Sequence, residues 1–523
     1  MQDFAYLCRM FHKNHTMKNL RRLFTAIVWI AASIALTGCT VKSITLYAIN
    51  VDAEFACLNM AYNELVITYA VNEEAITEGT KFSAQASEEW VTIVDTSEVG
   101  KIVLSVEENN GDNRTAQITI SAPGCITTHT TLLQYGTPPE KANHTLMYYF
   151  FGTSLGGFFK TNLSDAATAI ETGILGNSNR VVFFRQEGQY SGYIGELKYD
   201  VTKRECNEFR IKDITLTVNT ITPNSIGEIM AEMAEVAPAE RYGIVFAGHG
   251  QGWILREILA SDSDISAAGS AAAFNLGYTP FVPAPGAEVT RAFGEKNVQV
   301  NIPELAEGIE HSGVELDYIL FDACFMSNIE AIYDLRNSAN YIIASPCEIM
   351  GKGFPYNRTL PHLFKDEGRT TDYVGAAESY HIYYRDEYIG NSRCGSIAVY
   401  DCSEIESLAE ATKDVMKSAK SEYNAKELQT YEGENPHHFY DFGEWVRVVA
   451  TDDAALQSFN EAMAECIIAK YSLASFYSAY GTYGTYPINL DVYSGVTTSA
   501  PSRAYPNGWR TTSWYKDVIA LEN

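Results

Sequence analysis

The chain has 523 residues, of which 46% are hydrophobic and 20% are charged, and this is the composition of a globular protein. Because domains average about 150 residues, the length predicts two or more of them. The 38 basic residues are outnumbered by 65 acidic residues. The resulting formal net charge of −27 argues against a nucleic-acid-binding protein, since phosphate contacts require a basic surface.

Residues 1–38 have the form of an export signal. Basic residues within Lys18–Arg22 precede the apolar run Leu23–Leu36, which is too short to span a membrane comfortably. A signal peptide normally begins at its basic region, and residues 1–16 lie in front of that region, so we expect the chain to begin at Met17. The pattern predicts a signal peptide that is removed during export.

The apolar run ends in the sequence "LTGC", Leu36–Cys39, which resembles the lipobox of bacterial lipoproteins. The resemblance implies cleavage before Cys39 and attachment of a lipid to that cysteine, with 39–50 as a tether. We therefore expect an exported lipoprotein of the outer membrane, facing the periplasm or the cell surface and held to the membrane by its N-terminal lipid. A plain signal peptide followed by a chance cysteine is the alternative.

Residues 51–136 are predicted to form a small all-β sandwich. The stretch "KIVLSVEENNGDNRTAQITISAPG" alternates apolar and polar residues on both sides of Asn109–Asn113, which predicts two strands joined by a turn. The segment resembles the BACON module of gut Bacteroidetes through Trp90, this turn and the closing "LLQYG". The resemblance implies glycan binding, but a lone aromatic on an alternating strand usually packs inward, so we expect Trp90 in the core and the module to be a spacer. The Pro-rich, charged residues 137–143 are predicted to be a linker.

Export permits disulfides, and eight cysteines remain besides Cys8 and Cys39. None has the spacing of a zinc site, so no metal and no other cofactor is expected. Pairing of Cys57 with Cys125, or of Cys394 with Cys402, is one interpretation, and free buried thiols are the other. The eight are Cys57, Cys125, Cys206, Cys324, Cys347, Cys394, Cys402 and Cys466.

From His144 to the C-terminus, strands alternate with helices. The sequences "HTLMYYFFG", "RVVFFRQ" and "YIGELKY" predict strands, and "SDAATAIETGI" predicts a helix. "NSIGEIMAEMAEVAPAE" predicts an amphipathic helix, and its apolar face contains Ile226, Ile229, Met230 and Met233. This alternation predicts an α/β fold with a mostly parallel sheet covered on both faces.

Two strands of this domain are predicted to end in turns that contain a histidine or a cysteine. The apolar run Ile244–Ala247 leads into "GHGQG", which contains His249, and the run Tyr318–Phe321 leads into "DAC", which contains Cys324. A helix is predicted to follow from about Ser327. If these are neighbouring parallel strands, both side chains emerge at the same edge of the sheet.

A histidine beside a cysteine suits nucleophilic catalysis. An unperturbed thiol has a pKa near 8.5 and is mostly protonated at neutral pH, so an adjacent imidazole makes it a better nucleophile. The backbone N–H groups of Gly250 and Cys324 are candidates for stabilising a developing oxyanion. A buried structural cysteine and an ordinary loop histidine are the alternatives.

The two segments together resemble the clostripain family of cysteine peptidases. The resemblance rests on "PAERYGIVFAGHGQGW" and on "ELDYILFDACFMSNIEAIYDLRNSANYIIAS" within residues 144–523. It implies a caspase-like α/β/α sandwich and peptide-bond hydrolysis by a Cys/His dyad. By this resemblance His249 is the general base or acid, Cys324 the nucleophile and Gly250 an oxyanion donor, acting on a peptide or protein substrate, and a monomer is expected.

The resemblance also implies that Asp322 and Ser345 belong to the substrate-binding site, and that cleavage follows Arg or Lys. A carboxylate in a partly dehydrated pocket pairs well with guanidinium. The alternative role for Asp322 is to cap the helix that begins near Ser327. Lys352, in "MGKGF", would oppose a basic side chain if it lies near the pocket.

Residues 260–300 are rich in Ala, Ser, Gly and Pro and are predicted to be an exposed loop. Relatives of clostripain mature by cleavage in this region, so the resemblance makes Arg256, Arg291 and Lys296 candidate self-cleavage points. An uncut insertion is the alternative.

The last third of the chain adds little predicted chemistry. "FYSAYGTYGTYPINLDVYSG" predicts β structure that contributes a wall of the substrate cleft. His437 and His438 lie in a predicted loop with no metal-ligand spacing around them. Some clostripains depend on calcium, but no segment resembles a calcium-binding EF-hand loop.

The sequence also contains features of three rival functions. "GTSLG" places Ser154 in the pattern of a serine-hydrolase nucleophile, but it follows the first strand of the domain and precedes His249, which is the wrong order for that fold. The glycines of Gly248–Gly252 are too closely spaced for a dinucleotide loop. A surface adhesin or glycan- or protein-binding lipoprotein on a peptidase-like scaffold remains the main alternative.

Overall fold

The computed structural model describes residues 46–77, 80–200, 203, 205–216, 221–260, 281–293, 299–389, 392–480, 487–500 and 504–520. The predicted signal peptide, Met17, Cys39, Lys296 and most of the predicted loop 260–300 lie outside these residues. The chain divides into two compact units, one extending to Leu133 apart from two short segments and the other containing the rest.

The first unit is built from strands. Among the described residues, the strand order is β5-β6-β3-β1-β8 in one sheet and β2-β9-β7-β4 in a second. A short 3-10 helix, Glu73–Ala75, follows β3. The strands are β1 Tyr47–Val51, β2 Glu54–Cys57, β3 Tyr62–Val71, β4 Ser83–Ala86, β5 Val91–Asp95, β6 Lys101–Val106, β7 Arg114–Ser121, β8 Cys125–Ile126 and β9 Thr128–Gln134.

The predicted alternation is present, and so are the two predicted strands on either side of Asn109–Asn113. Every second residue of β6 is buried, with Ile102, Leu104 and Val106 at most 1% exposed. However, β6 and β7 belong to different sheets, so Asn109–Asn113 connects the two sheets. The Asn109 side chain donates to the carbonyl of Asp112 at 2.8 Å, which shapes a wider loop than a hairpin turn. Trp90 is only partly buried, where we expected a core position.

The second unit contains a long mixed sheet, which we call the central sheet. Within the described residues its strand order is β13-β12-β11-β10-β14-β15-β16-β17-β19. Its strands, with the short strands outside it, are β10 Ala142–Phe150, β11 Asn179–Gly188, β12 Ser191–Asp200, β13 Glu205–Thr215, β14 Ala239–Ala247, β15 Leu316–Asp322, β16 Tyr341–Ala344, β17 Ile397–Asp401, β18 Tyr440–Asp441, β19 Ile467–Tyr471, β20 Ser475–Tyr477, β21 Pro487–Asn489 and β22 Thr497–Thr498.

Only the centre of this sheet is parallel. Five neighbouring strands pair in parallel, in the order β11, β10, β14, β15 and β16. The strands at the two edges pair antiparallel: β12 and β13 on one side, and β17 and β19 on the other. The prediction of a mostly parallel sheet is therefore corrected to a parallel centre with antiparallel edges. The reason is visible at Gly188–Ser191, where β11 turns directly into β12, since a connection this short can join only antiparallel strands.

Helices cover both faces of the central sheet. In β10 every residue from His144 to Phe150 is buried, and because successive side chains point to opposite faces, both faces must be covered. The helices are α1 Gly156–Ile170, α2 Pro223–Val236, α3 Arg256–Ala260, α4 Ile302–Ser312, α5 Ile329–Asp334, α6 Tyr356–Leu363, α7 Tyr373–Ile382, α8 Ile405–Met416, α9 Phe442–Val449, α10 Asp453–Cys466 and α11 Pro506–Trp509. Shorter 3-10 and π turns are Asp366–Gly368, Tyr383–Glu387, Cys402–Glu404, Ala425–Glu427 and Tyr515–Ile519.

Helix α2 confirms the amphipathic pattern that the sequence predicts. Thr222 caps it by accepting the N–H of Ser225, and the helix begins with Pro223. Its buried face contains Ile226, Ile229, Met230 and Met233. Helix α2 packs on α4.

The register between β14 and β15 positions the site. The two strands are parallel neighbours, and Ala247 pairs with Asp322 at the end of the ladder. His249 and Cys324 each lie two residues beyond this last pair. The prediction that neighbouring parallel strands deliver both residues to one edge of the sheet is confirmed.

The eight cysteines in the described part of the chain are free. The thiol of Cys394 lies 3.6 Å from Met350 Sδ and 3.3 Å from the carbonyl of Tyr477. Neither of the two candidate disulfides is formed. A search of the described residues for helices long and apolar enough to cross a membrane found none.

Candidate active site

The turns after β14 and β15 lie in direct contact. A Cβ atom placed on Gly250 would be 2.1 Å from the carbonyl oxygen of Cys324 and 2.7 Å from its amide nitrogen. No side chain fits there, so glycine is required for the two backbones to approach this closely. The two N–H groups that the sequence predicts as oxyanion donors are therefore neighbours.

A segment of the same chain, Glu288–Phe293, occupies this edge of the sheet. The N–H of Arg291 donates to the carbonyl of Ile349 at 2.8 Å, and the N–H of Gly351 donates to the carbonyl of Val289 at 2.7 Å. Thr290 forms an antiparallel bridge with Met350. The segment lies along residues 349–351 as an added strand, which is how many peptides bind to proteins.

The carbonyl oxygen of Arg291 lies between the two predicted oxyanion donors. It accepts the N–H of Gly250 at 2.8 Å and the N–H of Cys324 at 3.2 Å. On the far side of this peptide, the N–H of Phe293 donates to the carbonyl of Gly250 at 3.1 Å. The bond between Arg291 and Ala292 is thus presented to the site as a scissile peptide bond would be.

The guanidinium of Arg291 is buried in a closed pocket. It forms an ion pair with Asp322, Nη1 to Oδ2 at 2.8 Å, and neither side chain has exposed surface. Nη1 also donates to the backbone carbonyl of Asp322 at 3.0 Å, and Nη2 donates to Oδ1 of Asn162 at 2.8 Å. The carbonyl of Gly351 accepts from Nε at 3.1 Å and from Nη2 at 3.0 Å. All five N–H donors of a guanidinium have a partner in this arrangement.

The carboxylate of Asp322 also accepts hydrogen bonds from two groups other than Arg291. The hydroxyl of Tyr356 donates to Oδ2 at 2.7 Å, and the N–H of Phe354 donates to the same oxygen at 3.4 Å. Burial raises the pKa of Asp322, and the charge of Arg291 opposes this shift. The alternative role as a helix cap is wrong, because the helix after Cys324 begins with Asn328 as its cap.

The thiol and the imidazole have separate contacts while the segment is bound. The N–H of Ile349 donates to Sγ of Cys324 at 2.9 Å, and Nε2 of His249 lies 3.2 Å from the hydroxyl of Ser154. Burial raises the pKa of Cys324 well above its usual range. Burial, followed by the charge of Arg291, lowers the pKa of His249 to about 4, and the backbone of Ala292 opposes this shift. Both groups are therefore uncharged at neutral pH in this state.

The remaining predicted residues lie elsewhere. The hydroxyl of Ser345 forms its described hydrogen bonds with the backbone of Cys347, so the structure does not bring it to Arg291. The backbone of Lys352 adjoins the pocket, since its carbonyl accepts the side-chain N–H of Asn162 at 2.8 Å, and its ammonium lies 5.0 Å from the centre of the Tyr383 ring.

The three candidate self-cleavage residues have different environments. Arg256 lies in helix α3 and pairs with Glu304 through two hydrogen bonds of 2.8 Å, so it is not presented to the site. Lys296 lies outside the described residues. Of the two candidates that the structure describes, Arg291 alone is brought to Cys324 and His249. The prediction of an exposed loop is wrong for Thr290–Phe293, because these residues are buried by their contacts with the site.

Several residues of the site were missed by sequence reasoning. Asn162 in helix α1 has no motif to mark it, and Glu348 lies in a stretch that carries no recognisable signal. Ser154 was considered only as a rival nucleophile. The Tyr-rich wall predicted near the cleft does contribute, since the hydroxyl of Tyr480 donates to the carbonyl of Ala292 at 2.8 Å.

The loop of His437 and His438 is a buried polar cluster. His437 faces Glu432 at 3.3 Å, and the interaction with Glu432 outweighs burial and raises the pKa of His437. His438 stacks on Tyr505, and burial lowers its pKa to about 4. No group of three or more potential metal ligands occurs in the part of the chain that the structure describes.

A family comparison decides how this geometry is interpreted. Residues 288–493 match the model of the clostripain family of peptidases, denoted C11. This chain contains a clostripain-family cysteine peptidase domain. The match includes Arg291, Asp322 and Cys324, and it begins after His249. The clostripain-family domain has a mixed α/β fold with the large mixed sheet described above.

Solved structures of clostripain-family proteins resemble this chain over most of their length. A secreted C11 cysteine protease from Bacteroides thetaiotaomicron, iotapain, is 27% identical, with a TM-score of 0.61 over 72% of this chain and 99% of iotapain. An inactive zymogen C11 protease from Parabacteroides distasonis is 27% identical, with a TM-score of 0.58 over 73% of this chain and 99% of that protein. No curated protein sequence matches the chain.

A third structure supports the fold alone. It is a secreted C11 cysteine protease from Bacteroides thetaiotaomicron in complex with an irreversible peptide inhibitor, 23% identical, with a TM-score of 0.56 over 72% of this chain and 99% of that protein. The clostripain-family assignment makes the chain a cysteine peptidase.

Proposed function

We propose that this chain is an exported, lipid-anchored cysteine endopeptidase that cleaves peptide bonds after arginine. Cys324 is the nucleophile and His249 the general acid and base. One observation carries the proposal: the carbonyl oxygen of Arg291 accepts the N–H groups of both Gly250 and Cys324. These donors would stabilise the negative charge that develops on this oxygen when the thiolate attacks.

The proposed reaction follows from these contacts. His249 takes the proton of Cys324, and Sγ attacks the carbonyl carbon of the scissile bond to form a tetrahedral oxyanion. His249 then protonates the departing amine, which leaves a thioester between Cys324 and the arginine residue. Water, deprotonated by His249, hydrolyses this thioester and releases the carboxylate. The N–H of Ile349, directed at Sγ, favours the thiolate form of the nucleophile.

The pocket around Arg291 supports specificity for arginine over lysine. A lysine ammonium has three donors at the end of a shorter, unforked side chain, so it leaves acceptors among Asp322, Gly351 and Asn162 unpaired. Buried unpaired acceptors cost about 1–3 kcal/mol each. The pocket therefore favours arginine, and lysine is a poorer substrate.

The same geometry supports self-cleavage between Arg291 and Ala292. While this bond is intact, the segment Glu288–Phe293 fills the cleft and excludes other substrates. A single cut leaves a new carboxyl end at Arg291, and departure of this end would open the cleft. The resemblance to an inactive zymogen C11 protease agrees with this interpretation.

The proposed anchoring depends on the sequence at the N-terminus. Cleavage before Cys39 and lipid attachment would tether the chain to the membrane, with the BACON-like strands as a spacer and the peptidase as the working domain. Replacement of Cys39 by Ser should abolish incorporation of labelled palmitate and release the protein from the membrane fraction. Unchanged labelling would contradict the anchor.

The test of the proposed activity uses short fluorogenic peptides that end in Arg, Lys, Asp or Leu before the reporter. The purified chain, after incubation to allow self-cleavage, should hydrolyse the Arg peptides best. Cys324→Ala and His249→Ala should reduce turnover by at least about 1,000-fold. Cys394→Ala is the matched control, because Cys394 is also a buried thiol but does not touch Arg291. Failure of the processed wild-type chain to hydrolyse any peptide would contradict the proposal.

A further inference from the structure

Glu348 binds the side chain that precedes Arg291. The hydroxyl of Thr290 donates to Oε2 of Glu348 at 2.6 Å. Both residues are buried, with Thr290 at 4% and Glu348 at 0% exposure. This contact is separate from the arginine pocket, whose polar partners are Asp322, Asn162 and Gly351.

The carboxylate of Glu348 is fixed in its orientation. The hydroxyl of Ser478 donates to Oε1 at 2.5 Å, and the N–H of Ala479 donates to both oxygens at 3.1 Å. Oε2 is thus left with one further acceptor position, and Thr290 fills it. A rigid acceptor of this kind discriminates between side chains more strongly than a mobile one.

We propose that Glu348 forms a second specificity subsite that selects a hydroxyl-bearing residue, Thr or Ser, immediately before the arginine of the substrate. The proposal rests on the proposed function, because it assumes that substrates occupy the cleft as Glu288–Phe293 does. The preferred substrates are then peptides and unfolded protein segments containing Thr-Arg or Ser-Arg.

The chemistry of the subsite predicts which residues it rejects. Valine has nearly the shape of threonine but lacks the donor, so it removes a hydrogen bond to a buried carboxylate. Aspartate would place a second carboxylate beside Glu348, and like charges in a buried site repel strongly. Serine keeps the hydroxyl but lacks the methyl group of the buried Thr290 side chain. The expected order is Thr, Ser, Val and then Asp.

The experiment measures kcat/KM of the self-processed full chain for four peptides that differ only in the residue before arginine. It is done at about pH 8.5, because burial raises the pKa of Glu348 to about 7 and the side chain is a charged carboxylate only above that pH. Thr should exceed Val by about 10-fold to 100-fold, which is the effect of one hydrogen bond to a charged group. In Glu348→Gln the penalty for Asp relative to Thr should fall by at least about 10-fold, because the repelling charge is gone.

Glu330→Gln is the matched control. Glu330 is also a fully buried acid, but its partners are Asn328, Thr498, Ser499 and Trp509. Its replacement should leave the ratios among the four peptides unchanged, even if it lowers all the rates together. A change in ratios confined to Glu348→Gln therefore separates substrate selection from a general structural effect.

The outcomes are distinguishable. Equal turnover of the Thr and Val peptides by the wild-type enzyme would overturn the subsite and leave arginine cleavage intact. Failure to hydrolyse any arginine peptide would overturn the proposed function and the subsite with it. The wild-type series decides the question even if Glu348→Gln does not fold.

Discussion

Arg291 and Asp322 form an ion pair of 2.8 Å in which neither side chain is exposed to solvent. The aspartate lies at the end of β15, two residues before Cys324, and the arginine comes from the segment that covers the cleft. Removing one member of a buried pair leaves an uncompensated charge, whereas both members together are tolerated. Under the proposed cleavage after arginine, the pair links the stability of the uncut chain to the specificity of the site.

Replacement of Asp322 by Asn should impair both properties. Turnover of arginine peptides should fall by at least about 100-fold, and the uncut chain should lose about 3–5 kcal/mol of unfolding free energy, because the guanidinium loses its charge partner. Kinetics and urea unfolding measure the two effects. Asp317→Asn is the control, since Asp317 lies on the same strand but pairs with Arg241. Equal effects of the two substitutions on turnover would refute the role of Asp322 in specificity.

Replacement of Arg291 by Ala should prevent self-cleavage. The new residue cannot fill the arginine pocket, so the chain should remain a single band, whereas wild type should give a fragment whose N-terminal residue is Ala292. Electrophoresis and N-terminal sequencing measure this result. Arg256→Ala should be processed normally, because Arg256 is helical and paired with Glu304. Processing of Arg291→Ala at the same bond would contradict the assignment.

Replacement of Gly353 by Ala should block the arginine pocket. A Cβ atom there would lie 2.4 Å from Nη2 of Arg291 and 2.5 Å from Oδ2 of Asp322, and the residue has φ +72°. Turnover of arginine peptides should fall by at least about 100-fold. Gly286→Ala is the control, because Gly286 also has a positive φ, +80°, but no atom within 4 Å of the new methyl group. Comparable losses in both variants would point to backbone strain instead of obstruction.

Replacement of Ser154 by Ala tests which residue is the nucleophile. The described hydrogen bond of the Ser154 hydroxyl is with the imidazole of His249, so kcat should fall by about 10-fold with little change in KM. Cys324→Ala, in contrast, should be essentially inactive. If Ser154→Ala is inactive while Cys324→Ala retains turnover, the chain is a serine hydrolase and the cysteine mechanism is wrong.

The stability of the uncut chain should depend on Glu348 between pH 4.5 and about 7. Burial raises the pKa of Glu348 from 4.5 to about 7. The folded protein therefore holds this proton more tightly than the unfolded chain, and the stabilisation is complete below pH 4.5 and lost as the pH rises to about 7. The change corresponds to about 3 kcal/mol. Urea unfolding of the uncut Cys324→Ala variant across this range should show the decrease in unfolding free energy. The double variant that also carries Glu348→Gln should not show this decrease.

The sequence predicted the catalytic edge because parallel neighbouring strands end on the same side of a sheet. Ile244–Ala247 and Tyr318–Phe321 are unbroken apolar runs, so His249 and Cys324 could be placed together from local pattern alone. The overall alternation of strands and helices predicts a parallel sheet, and that pattern alone does not register that the connection between β11 and β12 is too short for parallel strands.

The pocket could not be predicted in the same way. Asn162 and Arg291 meet at 2.8 Å although 129 residues separate them in the chain. No local pattern indicates that a Gly- and Ala-rich stretch returns to the sheet at Thr290–Phe293. Arg291 was one of three basic residues considered for cleavage, and only the folded arrangement distinguishes it from Arg256.

The segment that fills the cleft belongs to the same polypeptide as the cleft itself. Its local concentration is therefore set by the covalent chain, and diluting the protein cannot release it, whereas a separate inhibitor would dissociate. One hydrolysed bond weakens this advantage, because Arg291 then becomes a chain end that is tethered on one side only and can leave the cleft to other arginine-containing substrates. An uncut molecule would thus remain inactive at any protein concentration. The activating cleavage would occur only once in each molecule.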